Sequence, residues 1–370
     1  LIEGNVGKFR EIDMLSNFKK SVRAVALGTA FAFGVTMLPV DSKAEPVEWS
    51  MATPWSGGHW LDVGAKQFAE LVETLTEGRV KINVFPAGTL GSALKVTESV
   101  QSGVAEVGHN WPAYDWGIDR TGVIFGGWAG GLTPEEYLMW LYNEGGAELW
   151  KEWRMELSGV VAVPCGVLET EIFLHAHKPV QTLADYQGMK VRTSGAWAEI
   201  AANMGASTVI MPGSEVFSAL ERKVVDGIEW GGPGINTSAG FHKVAKYIVT
   251  PGVHQPSGAH ECLFNKDAWA KLSERDQNLI EIAGRLMTLN TFLAYAKDDI
   301  EGFAFFQQAG ENEMVVLDPA FISAAKEASD AWAAEQSKEN AWFKRAYENQ
   351  TAFQKKIGDW QKFRLPIGNN

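Results

Sequence analysis

Glu229 and Trp230 stand at the end of the stretch S-E-V-F-S-A-L-E-R-K-V-V-D-G-I-E-W-G-G-P, Ser214 to Pro233, and are followed at once by Gly231-Gly232-Pro233. A carboxylate and an indole there supply one anionic ligand and one flat wall where backbone can approach closely, which suits a small-molecule pocket. The plainer reading is a surface Glu beside a core Trp at a strand end. Arg192 closes the run Met189-Lys190-Val191-Arg192, and a guanidinium at a strand's end offers a carboxylate a planar fork of donors. A surface salt bridge is the plainer alternative. His175 and His177 alternate on an extended run, but H-x-H without a third ligand nearby reads as a solvated strand face and not as a metal pair. C-x-x-C, H-x-x-x-H and G-x-S-x-G are absent, which removes the usual redox, zinc and acyl-transfer motifs.

The elements that must position these groups follow from periodicity. Behind a capping Ser214, Val216, Phe217 and Leu220 fall at helical spacing; Val224, Val225, Ile228 and Trp230 then pass through an Asp-Gly turn into a short extended run. Near the start, Val47, Trp49 and Met51 alternate as a strand, and Ala65, Phe68, Leu71, Val72 and Leu75 mark a helix. Val80 to Val84 predicts a second strand, Leu94 to Gln101 a second helix and Ala105 to Gly108 a third strand. This β-α-β-α-β order predicts a parallel sheet, whose ligands bind at the carboxyl ends of the strands. The loops at that end carry Trp55, the segment Pro86 to Ser92, and His109-Asn110-Trp111 to Tyr114, which makes Trp55, Asn110 and Tyr114 candidate ligand contacts. The tryptophans from Trp111 to Trp153 read as core and helix-packing aromatics, because helical spacing already explains their neighbours. Val160 to Val167 reads as a buried strand, and a second α/β unit begins at Ile172 and includes the strand Met189 to Val191. Asp267 to Asn290 and Ala324 to Trp360 read as helices, the latter with aromatics recurring at roughly helical intervals.

At 370 residues, 46% apolar and 21% charged, the chain is long enough for two α/β domains with real cores and too apolar for disorder. Met14 to Ala44 reads as a cleaved export signal: Lys19, Lys20 and Arg23 form its basic start, Ala24 to Leu38 its apolar run, and Ser42-Lys43-Ala44 its cleavage site. Without residues 1–44, 27 basic and 41 acidic residues remain, a net charge of −14 that argues against nucleic acid as a partner. Cys165 and Cys262 enter an oxidising compartment, and spacing leaves open whether they pair.

Three stretches carry a resemblance to the solute-binding subunits of tripartite ATP-independent periplasmic (TRAP) transporters. They are Ser214 to Trp230; F-P-A-G-T-L-G with V-x-S-G-x-x-E-x-G-H; and K-P-V with D-x-x-G-x-K-x-R. The second resembles especially the subunits for 2-oxo and 2-hydroxy monocarboxylates. The chain departs from the pattern at Lys223, where the family usually has Gly, and at Glu171, where it has Gln or Arg. The resemblance implies an α/β periplasmic binding protein fold of two domains, with a ligand cleft between them and a long carboxyl-terminal helix. The domains expected are residues 45–166 with about 255–305, and 167–254 with about 306–370, with Pro251 to His254 and Glu261 in a segment that crosses back. It further implies that Arg192 holds the substrate carboxylate. Glu171 disfavours a second substrate carboxylate, and Glu171, Glu229 and Trp230 together suit a cation, Ca²⁺ at least as well as Na⁺. The partners implied are a small organic acid and membrane permease subunits, with no catalysis. Exchange of the carboxyl-terminal helix with a second copy would give a homodimer. Two other functions stay open: a metal-dependent lyase or hydrolase using Glu171 and Glu229 as acid and base, and a module presenting its ligand to a sensor kinase.

Overall fold

The computed structural model describes residues 46–364, and the export signal expected over Met14–Ala44 lies outside them. Eleven strands form in chain order: β1 Val47–Ala52, β2 Val80–Phe85, β3 Val107–Asn110, β4 Val160–Leu168, β5 Leu174–Ala176, β6 Lys190–Arg192, β7 Ser207–Val209, β8 Gly227–Ile228, β9 Tyr247–Thr250, β10 Gly258–Asn265 and β11 Glu313–Val316. They build two sheets, ordered β2-β1-β3-β10-β4 and β11-β9-β5-β8-β6-β7. This is the two-sheet α/β architecture expected. As the β-α-β-α-β text implies, β1, β2 and β3 run parallel, while β10 runs antiparallel to β3 and β4. All nine residues of β4 are buried, since helices cover both its faces.

The chain leaves the first sheet after β4 and enters the second at β5, then returns between β9 and β10. The two crossing segments touch each other: Glu171 N–H donates to the Gln255 carbonyl at 3.3 Å. A Cβ on Gly252 would lie 1.9 Å from the Glu171 carbonyl oxygen, so only glycine lets the segments meet. The 36-residue helix Glu274–Ala309, capped by Ser273 accepting from Asp276 N–H, packs on β4 and on the helix Pro233–Ala239.

Several expectations need correcting. The third strand begins two residues later than expected, which moves His109 and Asn110 from the loop into β3. The helix expected behind Ser214 is Gly213–Glu221, with Pro212 at its cap and Ser214 inside its first turn. Of the extended run before Trp230, only Gly227–Ile228 is strand. The text Ala324–Trp360 is two helices, Pro319–Glu339 and Ala341–Arg364, broken at Asn340. The second of these packs on helices attached to the first sheet, not the second: Gln350 accepts from Trp128 Nε1 at 3.0 Å, and Asn349 from Trp140 Nε1 at 2.7 Å. His175 is fully buried instead of solvated, and burial lowers its pKa to about 3. Cys165 of β4 and Cys262 of β10 form a disulfide, the point the spacing had left open.

Under the first sheet lies a buried ion cluster. Arg154 is fully buried, with Nη1 2.6 Å from Asp115 Oδ2 and Nε 2.9 Å from Glu261 Oε2. Trp150 and Thr97 donate to the same two carboxylates. A paired set of this kind holds only while it is complete. Arg154→Met should therefore destabilise the protein by about 3–5 kcal/mol in urea unfolding, because two buried carboxylates lose their counter-charge. A loss below 1 kcal/mol would show that the cluster is not holding this lobe.

Lys223 sits just past the helix Gly213–Glu221 with φ +55°, the left-handed conformation that glycine adopts at no steric cost. Its side chain is exposed and takes part in none of the hydrogen bonds that close the helix end. Lys223→Gly should raise stability by about 0.5–1 kcal/mol in the same assay; a loss of stability would mean that the lysine side chain has a structural role.

Candidate functional site

β6 and β8 are parallel neighbours, with Arg192 in register with Ile228, so the end of β6 faces the residue that follows β8. Arg192 is 2% exposed and donates from Nη1 to the Glu229 carbonyl at 3.0 Å and to Glu229 Oε1 at 3.2 Å. Nη2 donates to the Met211 carbonyl at 3.2 Å, and the guanidinium lies 5.2 Å from the centre of the Trp230 ring. Its Nε–H has no protein acceptor. Buried guanidinium hydrogens are rarely left so, and this one marks where an anion would complete the set.

Glu171 approaches from the first crossing segment, and His254 and Gln255 from the second. Glu171 Oε2 lies 2.9 Å from His254 Nε2, and Oε1 accepts from Gln255 Nε2 at 2.9 Å. Burial pushes Glu171 up to about 8 against the opposing pull of Arg192, and it raises Glu229 as well, with Glu171 adding to the shift. Burial also depresses His254 to about 4 and lifts Tyr114 to about 12. One ligand atom from each of Glu171, Glu229 and His254 lies within 4.8 Å of the other two, and all three residues are buried. Such a set fits a cation: two carboxylates that burial discourages from ionising regain their charged form beside one.

These residues line one cavity of about 490 Å³. Its walls are aromatic. Trp55 and Trp60 come from the segment after β1, Trp111, Tyr114 and Trp128 from the loops after β3, and Trp197 and Trp230 from the second sheet's side. Trp60 and Trp230, which follow strands of different sheets, have ring centres 5.1 Å apart across the cleft.

Of the residues singled out in the sequence, Arg192, Glu171, Glu229, Trp230, Trp55 and Tyr114 come together here. Asn110 does not. In β3 it sits opposite Glu261 and donates to its carboxylate at 3.3 Å, so it belongs to the buried Arg154 cluster. Sequence reasoning missed His254, Gln255 and Trp197, and it assigned Trp111 and Trp128 to the core. The one available signal was topological: a segment that crosses between two sheets must border the cleft between them.

The description "Bacterial extracellular solute-binding protein, family 7" names the family whose model matches residues 51–340. Over 322 residues the chain is 29% identical to a monocarboxylate 2-oxoacid-binding periplasmic protein of Nostoc sp., covering 85% of this chain and 86% of that protein. A TRAP periplasmic solute-binding protein of Pseudoalteromonas atlantica, solved with bound sodium and pyruvate, is 26% identical, with a TM-score of 0.82 over 86% of this chain and 97% of that one. Another from Colwellia psychrerythraea, with bound calcium and pyruvate, is 24% identical and shares the fold with a TM-score of 0.81 over 86% of this chain and 97% of that one.

The proton on Glu171 gives the site a signature in stability. The folded chain holds that proton up to about 8, whereas the unfolded chain releases it near 4.5. The folded state therefore binds more protons between those values, and stability falls as pH rises through the window. Neutral, buried His254 acts in the opposite sense below 6.5, so pH 6.5 to 8 isolates the carboxyl. Over that range the metal-free protein should lose about 1.4 kcal/mol per pH unit more than Glu171→Gln in urea unfolding. Parallel curves for the two proteins would show that Glu171 is not the group titrating.

Proposed function

The chain belongs to the bacterial extracellular solute-binding proteins of family 7, and on that premise we propose that it is the periplasmic subunit of a TRAP transporter that captures a small 2-oxo or 2-hydroxy monocarboxylate with the help of a cation. It then passes the acid unchanged to membrane permease subunits. The observation that carries this reading is the buried Arg192, with an Nε–H lacking a partner, facing two buried carboxylates across an aromatic cavity. Arg192 takes the acid's carboxylate in a charge-assisted pair. Glu171, Glu229 and the backbone of Trp230 hold the cation, which supplies a partner for the 2-oxo or 2-hydroxy oxygen. Without it, Glu171 and Glu229 would meet an anion at close range, and one of them would have to carry a proton.

The sodium and pyruvate of the 26% identical relative and the 2-oxo acids named for the Nostoc protein support the same ligand class. A receptor is favoured over the lyase or hydrolase because burial moves both carboxyls upward, whereas an acid–base pair needs environments that push the two apart. We take the segments Leu168 to Leu174 and Thr250 to Gly258 as the hinges about which the two lobes close, and the export signal Met14–Ala44 as the route to the periplasm. Presentation to a sensor kinase has no observation in its favour.

Calorimetry with pyruvate tests the reading. Arg192→Ala should weaken binding on the order of a hundredfold or more, since each charge-assisted hydrogen bond contributes ~1.5–3 kcal/mol, and Arg192→Lys should also bind poorly. Exhaustive chelation should reduce affinity, and Glu229→Gln should imitate it. Near-native affinity in Arg192→Ala would remove Arg192 from the site, while indifference to every added ion would remove the cation.

A further inference from the structure

His254 was not foreseen as part of the site, and its chemistry bears on which ion is held there; the inference rests on the cation-assisted reading above. Glu171 Oε2 and His254 Nε2 are 2.9 Å apart, and one ligand atom of Glu229 lies within 4.8 Å of both. Two donors bound side by side at right angles on an ion with bonds of ~2.1 Å stand about 3.0 Å from each other. On Ca²⁺, with bonds of ~2.4 Å, the same edge is about 3.4 Å. The observed separation therefore matches the smaller ion without rearrangement. Gln255 holds the other oxygen of Glu171 and so fixes the carboxylate with Oε2 turned toward the imidazole, the outer support that ligating carboxylates commonly have.

Donor type points the same way. Ca²⁺ and Na⁺ take oxygen ligands, whereas imidazole suits zinc, copper, iron and nickel. Charge separates the candidates further. Arg192 contributes one positive charge, while Glu171, Glu229 and a bound monocarboxylate contribute three negative ones. A divalent ion brings this buried set to neutrality, and a monovalent ion leaves one charge uncompensated among tryptophans. We propose that Glu171, Glu229 and His254 form a centre for a divalent first-row transition ion, preferred there over Ca²⁺ and Na⁺, with the organic acid completing the coordination.

The test starts from full-length mature protein stripped by chelator and dialysed. Zn²⁺, Mn²⁺, Ca²⁺ and Na⁺ are titrated by calorimetry, each alone and with pyruvate. Zn²⁺ should bind at least about a hundredfold more tightly than Ca²⁺, and His254→Gln should cut the Zn²⁺ affinity by about tenfold or more, collapsing the preference. Circular dichroism establishes that the variant folds. Independently of any variant, the electron paramagnetic resonance spectrum of the Cu²⁺-loaded wild type should show nitrogen hyperfine coupling from one imidazole. Equal affinity for Ca²⁺ and Zn²⁺, or a copper spectrum without nitrogen coupling, overturns the proposal while leaving the cation-assisted reading intact. Pyruvate binding that needs no ion at all overturns that reading and this proposal with it.

Discussion

One guanidinium is buried with two carboxylates. Arg192 can neutralise one of Glu171 and Glu229 but not both, and the surroundings offer no water to screen the remainder. A protein gains nothing in stability from such an arrangement, because apolar residues of similar volume would pack the same space at lower electrostatic cost. The imbalance makes sense as a site that is complete only when an ion and an anion enter together. It also explains why both carboxyls are displaced toward the protonated form while Arg192 pulls the other way.

The fold exists to hold those charges at that distance. Arg192 and Glu229 are fixed by the parallel pairing of β6 with β8, an arrangement internal to the second sheet. Glu171, His254 and Gln255 come instead from the two segments that run between the sheets, pressed together at Gly252. The candidate site therefore joins a rigid half, supplied by strand register, to a half supplied by the crossing segments. Any movement of one sheet against the other must pass through Glu171 and His254. Ligand capture and lobe closure are in this way the same event, and the Trp60–Trp230 contact across the cleft closes over it.

Much of this was legible in the sequence where a single local rule applied. Strand alternation predicted β1 and β2, and the unbroken apolar run predicted β4. Arg192 at a strand end and Glu229 after Asp226-Gly227 were found because strand termini and glycine turns leave marks in the text. Asn110 was misplaced because a two-residue shift in where β3 begins changes a loop residue into a strand residue paired with Glu261. His175 was misread because period-two alternation says which residues share a face, and not whether both faces are covered. His254 was out of reach for another reason: its partner Glu171 lies 83 residues away, and no local pattern encodes a contact made by topology alone.

The tryptophans show how packing and function can share one signal. Trp140, Trp150 and Trp153 are core residues, as helical spacing implied, yet Trp111 and Trp128 of the same aromatic-rich text line the cavity. Both groups are nearly inaccessible, so burial does not separate them. What separates them is what each indole N–H meets. Trp150 donates to Glu261 inside the core cluster, while Trp111 and Trp128 send their N–H groups away from the cavity, to the Gly126 carbonyl and Gln350, and turn their carbon faces toward the site. Walls of that kind offer the ligand no hydrogen bond. Specificity is then left to Arg192, the carboxylates and His254, the few charged or ligating groups that a low-dielectric wall makes strong. A neutral molecule of the right shape would fit such a cavity and still leave its charges unbalanced, which is why an anion paired with a cation is the cargo this chemistry selects.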